Sequence, residues 1–217
     1  TVVVLMVFGL FSLAAYWLHA LRHPAPLFSP SLFSVASLRV GLLGNLFARL
    51  GSSCMPFLVP LLMQVSKRYS PAQAGMMMLP MAAAGMAAKP LVTRLILRVG
   101  YRKVLVANTV ALGSIMASFA LITPGQPVWT LLLHLACFGM VNSMQFTAMN
   151  TITLKDMEGP AASSGNSLLS MVQMLAMSLG VAVAASVLAG FTGYFEAAGA
   201  EQTLTAFHAT FGVMGLV

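Results

Sequence analysis

Residues 167–191 read SLLSMVQMLAMSLGVAVAASVLAGF and contain no charged side chain. At about 1.5 Å per residue, a helix over this stretch is long enough to cross the hydrocarbon layer of a bilayer, which is about 30 Å thick. Six more apolar segments occupy residues 2–20, 40–65, 72–91, 104–122, 128–151 and 204–217. Barrel strands would instead be about 10 residues long and alternate between polar and apolar side chains. The predicted fold class is therefore all-α, a polytopic transmembrane helical bundle.

The composition agrees with a membrane protein. Hydrophobic residues make up 59% of the 217 residues and charged residues only 7%, yet the net charge is +7. Such a charge can indicate a nucleic-acid partner, but the Lys and Arg residues form short clusters between apolar runs, without a basic face or an aromatic platform. We expect contact with membrane lipid and no nucleic-acid partner.

Chemistry-bearing motifs are scarce. Cys54 and Cys137 both lie inside apolar runs, which favours packing roles over a disulfide framework or a metal site. The sequence has no H-E-x-x-H, no G-x-S-x-G and no paired acids inside a span. We therefore predict no enzyme activity, no metal and no cofactor, whereas a non-transporting membrane scaffold stays open as an alternative.

The connectors between spans predict an orientation, because Lys and Arg favour cytoplasmic loops. Two connectors on the other side carry only Lys67 and Arg68, or the acids Glu196 and Glu201. We predict that loops 21–39, 92–103 and 152–166 are cytoplasmic, and that Ser163 or Ser164 caps the helix after the last of them. These three loops hold seven cations, Arg22, Arg39, Arg94, Arg98, Arg102, Lys103 and Lys155.

The stretch RLILRVGYRKVL, residues 94–105, concentrates this charge. It resembles the Gly-x-Leu-Ala-Asp-Arg-x-Gly-Arg-Lys loop motif of the major facilitator superfamily, although the acidic position of the motif is Leu97 here. The resemblance implies a loop that helps hold one cytoplasmic conformation closed, whereas charge alone is equally typical of a topology anchor. A turn between antiparallel helices also favours glycine, which adopts positive φ readily. The matching positions are Arg98, Gly100, Arg102 and Lys103.

A second stretch, PLLMQVSKRYSPAQAGMMMLP at residues 60–80, is similar to the fourteen-helix drug/proton antiporter branch of that superfamily. The resemblance implies the C-terminal half of a carrier, with a linker helix at 1–20, a cytoplasmic connector at 21–39 and a six-helix transport domain at 40–217 whose last helix is incomplete. Since the chain opens and closes within apolar runs, we expect a part of a longer protein. Residues 21–37 read as a turn followed by a short interfacial segment.

The function implied by this resemblance is proton-coupled efflux of hydrophobic or cationic drugs by alternating access, in a bacterial inner membrane. None of the four acids lies within a predicted span. Any carboxylate that exchanges the coupling proton is therefore expected in the other half of the carrier. A metabolite or a siderophore is the alternative small-molecule substrate, because a fold does not dictate its cargo.

Arg49 is the most informative single residue, because it lies about ten residues into an apolar run. An arginine at the centre of a transmembrane helix costs about 2.5–3.5 kcal/mol on insertion scales. It is expected either to serve a central cavity or gate, or to extend its side chain to the interface. Lys89, near the end of its span, favours the interfacial role.

Two later spans carry polar residues on one face. These amides either line a substrate path or form hydrogen bonds between helices, and Gln173 is predicted to extend the same cavity or to pack. One face, at helical spacing, comprises Phe138, Asn142, Gln145 and Met149, with Asn150 in the same span; the other comprises Ser170, Gln173, Met177 and Gly180.

Other residues have weaker indications. His134 is expected to be interfacial or hydrogen-bonded, with a proton-relay role as the alternative. The run at Met76, Met77, Met78 and Met81 suits either a pocket for varied apolar ligands or ordinary packing. Helix bends are predicted at Pro56, Pro60 and Pro80, because proline frees backbone carbonyls inside a span.

Overall fold

A computed structural model describes residues 2–22, 30–123, 125–195 and 199–216. These residues form α-helices joined by short connectors, with two 3-10 turns at Pro30–Ser34 and Phe119–Leu121 and no strand in the described part. The helices are α1 (Val2–Arg22), α2 (Ala36–Ser52), α3 (Met55–Lys67), α4 (Pro71–Met76), α5 (Leu79–Val99), α6 (Tyr101–Ser118), α7 (Val128–Leu154), α8 (Gly159–Phe195) and α9 (Gly199–Leu216).

Five helical stretches within the described residues are long and apolar enough to cross a membrane. They are Ala36–Lys67, Pro71–Val99, Tyr101–Leu121, Val128–Leu154 and Ala161–Phe195. The first and last predicted segments correspond to shorter apolar stretches, Val7–Ala20 and Thr203–Leu216. The all-α transmembrane bundle is thus confirmed, and the chain is an integral membrane protein.

Two of the five spans are interrupted. A turn at Ser53 and Cys54 separates α2 from α3, and a second turn at Met77 and Met78 separates α4 from α5. Pro56 and Pro80 each occupy the first turn of the helix that follows, where the missing N–H of proline is tolerated. Pro60 lies inside α3, which stays helical from Met55 to Lys67.

Two predicted boundaries are wrong. Helix α8 begins at Gly159, so Ser163 and Ser164 lie inside it and neither serine is its N-cap. A proline directly after that glycine favours an early helix start, because its φ is already fixed near the helical value. The supposed loop around residue 100 is also almost entirely helical, since α5 ends at Val99 and α6 begins at Tyr101.

Gly100 alone makes the turn between α5 and α6, with a φ of 86°. Residues with a side chain rarely adopt such a φ, so the predicted need for glycine here is confirmed. The predicted turn at residues 23–29 lies outside the described residues, as does Glu196. The short interfacial segment that was predicted to follow that turn includes the 3-10 turn Pro30–Ser34.

The connectors alternate between the two ends of the bundle as the sequence predicts. At one end, which we call the basic end, residues from the start of α2, the start of α6 and the end of α7 line one groove, including Ser37, Leu105 and Lys155. At the opposite end, Lys67 Nζ donates to the Gln126 carbonyl oxygen at 3.1 Å. The α2–α3 span and α7 therefore each run from one end of the bundle to the other.

The largest cluster of buried residues lies toward the opposite end. Phe119, Phe138 and Phe211 are each 0% exposed and bring α6, α7 and α9 together. By contrast, α1 makes only marginal contact with the other described helices. Its side chains Phe8 and Phe11 are 70% and 72% exposed, as expected for a helix whose surroundings are apolar.

Candidate functional site

A cavity of about 520 Å³ lies between α5 and α7, with Pro56 of α3 at one edge; we call it the α5–α7 cavity. Met78, Met81 and Phe146 supply much of its apolar wall. Mostly apolar walls with a few polar groups are typical of sites for small molecules. The polar lining residues are Lys89, Asn142, Ser143, Thr147 and Asn150.

Small residues hold the two walls of this cavity together. Ser143 Oγ donates to the Gly85 carbonyl oxygen at 2.7 Å. A Cβ atom on Gly139 would overlap the carbonyl group of Met81. Glycines at such crossings let helix backbones approach closely inside a membrane, so α5 and α7 meet backbone to backbone at the floor of the cavity.

Asn142 lies in the cavity wall as one of the predicted substrate-path residues. Its Oδ1 atom is buried and has no hydrogen-bond partner among the described residues. An unpaired buried carbonyl oxygen is costly, about 1–3 kcal/mol, because it has lost water without gaining a donor. The Asn142 amide therefore has unused hydrogen-bonding capacity at the cavity wall.

Arg49 lies directly behind this wall. Its Cζ atom is 3.9 Å from the centroid of the Phe146 ring, and Phe146 lines the cavity. Nη1 contacts the Met177 sulfur at 3.6 Å, whereas Nε is buried without a partner in the described structure. The guanidinium is thus held between α2, α7 and α8 by an aromatic face and a thioether, an arrangement typical of a cation–π contact.

Gln173 of α8 links the same three helices, α2, α7 and α8, through side-chain hydrogen bonds. Its Nε2 atom donates to Asn150 Oδ1 at 2.8 Å and to Asn45 Oδ1 at 3.1 Å. Asn45 is fully buried, and its amide donates to the Gly41 carbonyl oxygen at 3.0 Å. Gln173 therefore does not line the cavity itself but positions Asn150, which does.

Gln145 does not line the α5–α7 cavity and instead forms hydrogen bonds between helices, the second of the two roles that the sequence left open. This side chain is 1% exposed and faces α6, where Asn108 Nδ2 donates to its Oε1 at 2.9 Å and its Nε2 donates to Thr109 Oγ1 at 2.8 Å. Asn142 and Gln145 are about 60° apart around the helix axis. Because α6 packs against one side of the predicted face, Gln145 faces α6 whereas Asn142 faces the α5–α7 cavity.

Lys89 was expected at the interface but lines the cavity, with an exposed side chain. Sequence reasoning also missed Ser143, Phe146 and Thr147. Their spacing around Asn142 could have revealed them, because residues 139, 142, 143, 146, 147 and 150 form one helical stripe.

The remaining predicted residues lie elsewhere. The basic motif formed by Arg98, Gly100, Arg102 and Lys103 is at the basic end and outside the cavity lining. His134 Nδ1 is 2.8 Å from the Thr130 carbonyl oxygen, and its ring meets Phe119 edge-on. Pro60 and Pro80 do not line the cavity. Across the described ranges, no group of three or more His, Cys, Asp or Glu residues is arranged to hold a metal ion.

Known proteins resemble this chain over nearly its whole length. The model of the Major Facilitator Superfamily matches residues 1–181. A protein of Pectobacterium atrosepticum named "Putative multidrug resistance protein MdtD" is 44% identical over 207 residues, which cover 95% of this chain and 44% of the relative. Proteins of the same name from Serratia proteamaculans and Yersinia enterocolitica are 44% and 40% identical, each over 98% of this chain and 45% of the relative.

The chain therefore spans about half the length of the curated relatives that it matches. The family match covers four of the five spans completely and the first part of the fifth, together with the basic turn at Gly100 and the α5–α7 cavity. On this evidence the chain belongs to the major facilitator superfamily, a family of membrane transporters.

Proposed function

We propose that the full-length protein is a secondary active transporter that exports hydrophobic or cationic drugs by alternating access. In this proposal the α5–α7 cavity is one wall of the substrate site, and the other half of the carrier supplies the facing wall. Residues 1–20 are the linker helix, residues 21–39 the cytoplasmic connector, and residues 40–217 the C-terminal transport domain. The names of the relatives, which specify multidrug resistance, support this choice of cargo.

The observation that carries the proposal is the unpartnered Asn142 carbonyl oxygen in a mostly apolar cavity. An apolar wall accepts many hydrophobic solutes, and a small number of placed polar groups orients them. The methionines in the wall suit varied ligands, because a thioether side chain is flexible and polarizable. Arg49 holds Phe146 in place from behind, and Gln173 holds Asn150.

Orientation and coupling belong to the same proposal. The basic end faces the cytoplasm of a bacterial inner membrane, as the bias of Lys and Arg favours. The turn at Gly100, with Arg98, Arg102 and Lys103, then acts in closing the cytoplasmic side. A coupling proton would bind a carboxylate outside this chain, since its four acids lie at or beyond the ends of the spans.

A second candidate cargo follows from Lys89. Its ammonium group is in the lining of the α5–α7 cavity, and no acid is among the lining residues. A cation without a neighbouring acid attracts a carboxylate. This observation favours a carboxylate-bearing metabolite or siderophore as the alternative substrate.

Efflux assays on the full-length protein test the proposal and separate the two cargoes. Cells that express Arg49→Met are expected to lose export of a cationic dye by at least about tenfold, because about 1.4 kcal/mol of lost interaction already changes a rate tenfold. Arg94→Met removes the same charge at the exposed end of α5 and serves as the control. Collapse of the proton gradient should also stop export.

Lys89→Gln distinguishes the cargoes. If drugs are exported, dye efflux should persist in this variant, and if a carboxylate is exported, its efflux should fall at least about fivefold. Expression is measured by immunoblot in every case. No efflux of either cargo class above the vector background by the unmodified protein at equal expression would contradict the proposal and favour a non-transporting scaffold.

A further inference from the structure

A second groove, of about 400 Å³, lies at the basic end between α2, α6 and α7; we call it the α2–α6–α7 groove. Val40, Leu105, Met149 and Ile152 form its apolar walls. Nothing in the proposed transport cycle uses it, because none of its lining residues is shared with the α5–α7 cavity.

Exposed aliphatic side chains flank the α2–α6–α7 groove. Val40 on α2 is 67% exposed, and Val106, the residue after Leu105 on α6, is 59% exposed. Large aliphatic side chains with such exposure face lipid in a membrane protein, since no water is present to penalise them. A lipid acyl chain can therefore enter between α2 and α6 without crossing water.

Ser37 places an unused hydroxyl group in this groove. Its Oγ atom is buried and has no hydrogen-bond partner in the described part of the chain. Other serines and threonines of the spans donate to the carbonyl four residues earlier, as Ser52, Ser66 and Thr109 do. The hydroxyl of Ser37 is thus left to bind a group that is not part of these helices.

The surroundings of Ser37 favour an anion. It lies in the first turn of α2, where backbone N–H groups give a positive electrostatic potential, and the N-cap residue Val35 makes no side-chain capping bond. Lys155 and Asp156 both line the groove; Lys155 Nζ is 3.9 Å from Asp156 Oδ2, and both side chains are about half exposed. Arg102 lies one turn before Leu105 on α6, so the basic end carries a further cation beyond this pair.

We propose that the α2–α6–α7 groove binds an anionic phospholipid. Its phosphodiester lies between Ser37, the N-terminus of α2 and Lys155, and one acyl chain occupies the apolar part beside Val40 and Leu105. Basic pockets between transmembrane helices are suited to anionic headgroups. A bound lipid would join the basic ends of α2, α6 and α7.

Native mass spectrometry of the purified full-length protein tests this site. The protein is titrated with a phosphatidylglycerol and with a phosphatidylethanolamine that carries the same acyl chains. We expect tighter binding of the phosphatidylglycerol, and a loss of about fivefold in its affinity in Lys155→Gln. Arg94→Gln, which removes one cation from α5 outside the groove, should leave the affinity unchanged.

Two variants address the other parts of the groove. Ser37→Ala removes only an unpartnered hydroxyl, so it should fold normally and weaken both lipids about threefold, because the phosphodiester is common to both. Gly44→Leu fills the apolar part, where a Cβ would meet only the flexible end of Met149. It should abolish tight binding of both lipids, and thermal unfolding in detergent checks its fold.

Three results would overturn the proposal. The first is equal affinity for the two lipids, and the second is an equal loss in Lys155→Gln and Arg94→Gln, which indicates attraction to the whole basic surface. The third is displacement of the phosphatidylglycerol by millimolar inorganic phosphate alone, which would identify a site for a free anion. Unchanged binding of both lipids in Ser37→Ala would show that the Ser37 hydroxyl does not contact the lipid.

Discussion

Helix α7 carries one amide on the side that faces α6 and another on the side that faces α5. The first amide is fully hydrogen-bonded, whereas the second has an unpaired oxygen. Toward α6, Gln145 is 1% exposed and both ends of its amide are paired, with Asn108 and Thr109. Toward α5, Asn142 lines a cavity and its carbonyl oxygen has no partner in the described residues. Paired amides inside a membrane stabilise helix contacts, whereas an unpaired one costs stability unless a ligand binds to it.

This difference suggests that one side of α7 serves stability and the other side serves transport. The side toward α6 is complete without a ligand, so its substitution should lower stability first and transport only as a consequence. The side toward α5 is incomplete, so its substitution should alter transport with little change in stability. In the full-length protein, stability and transport can be measured separately for substitutions on each side of α7.

The largest expected loss of stability comes from the side of α7 that faces α5. It involves a glycine rather than one of the two amides. In Gly139→Ala, the added Cβ would overlap the Met81 carbonyl group, which is backbone and cannot move aside cheaply. We expect a loss of about 3 kcal/mol or more in the free energy of unfolding, measured by titration with a denaturing detergent. Gly190→Ala in α8, where a Cβ meets nothing within 4 Å, is the control. Equal stability of the two variants would show that α5 and α7 do not touch here.

The second effect is on the α6 side. Gln145→Leu removes the acceptor of one Asn108 hydrogen bond and the donor to Thr109 Oγ1. Asn108 keeps its bond to the Val141 carbonyl oxygen, and Thr109 keeps its bond to the Leu105 carbonyl oxygen. Stability should fall by about 2 kcal/mol, and transport per folded molecule should change less than twofold.

The double variant Asn108→Leu/Gln145→Leu sharpens this test. Replacing both partners by apolar groups leaves fewer unpaired atoms, so the double variant should be more stable than the sum of the single losses implies. Strict additivity would mean that the two amides do not interact.

The smallest effect on stability is expected for Asn142→Ala. Because the Oδ1 atom has no partner to lose and its unpaired burial costs stability, the free energy of unfolding should not decrease. Export of a hydrogen-bond-donating substrate should nevertheless weaken several-fold, measured as the concentration for half-maximal transport. If stability falls as far as in Gln145→Leu, the contrast between the two sides of α7 is lost.

Much of the fold could be predicted from the sequence. Continuous apolar runs such as residues 128–151 predict helix α7 closely, and the alternation of basic connectors predicts which ends lie together. Glycine at position 100 predicts the positive φ of the turn. These properties depend on local composition, which the sequence contains directly.

The candidate site was less predictable. Helical spacing places Asn142 and Gln145 near one another but does not reveal where the neighbouring helix crosses between them. Lys89 could not be assigned to the cavity, because the choice between interface and cavity depends on the close approach of Gly85 and Gly139. The burial of Asn45 likewise depends on Gln173, which is distant in sequence.

Helix α8 has a mechanical consequence through its length. It runs unbroken for 37 residues, or about 55 Å at 1.5 Å per residue, and it crosses α2 closely where Gly180 meets the Leu50 carbonyl group. If α8 pivots at this crossing, its two ends lie at unequal distances from the pivot. A tilt of about ten degrees would then move the end near Gly159 by about 5 Å while the crossing stays nearly still.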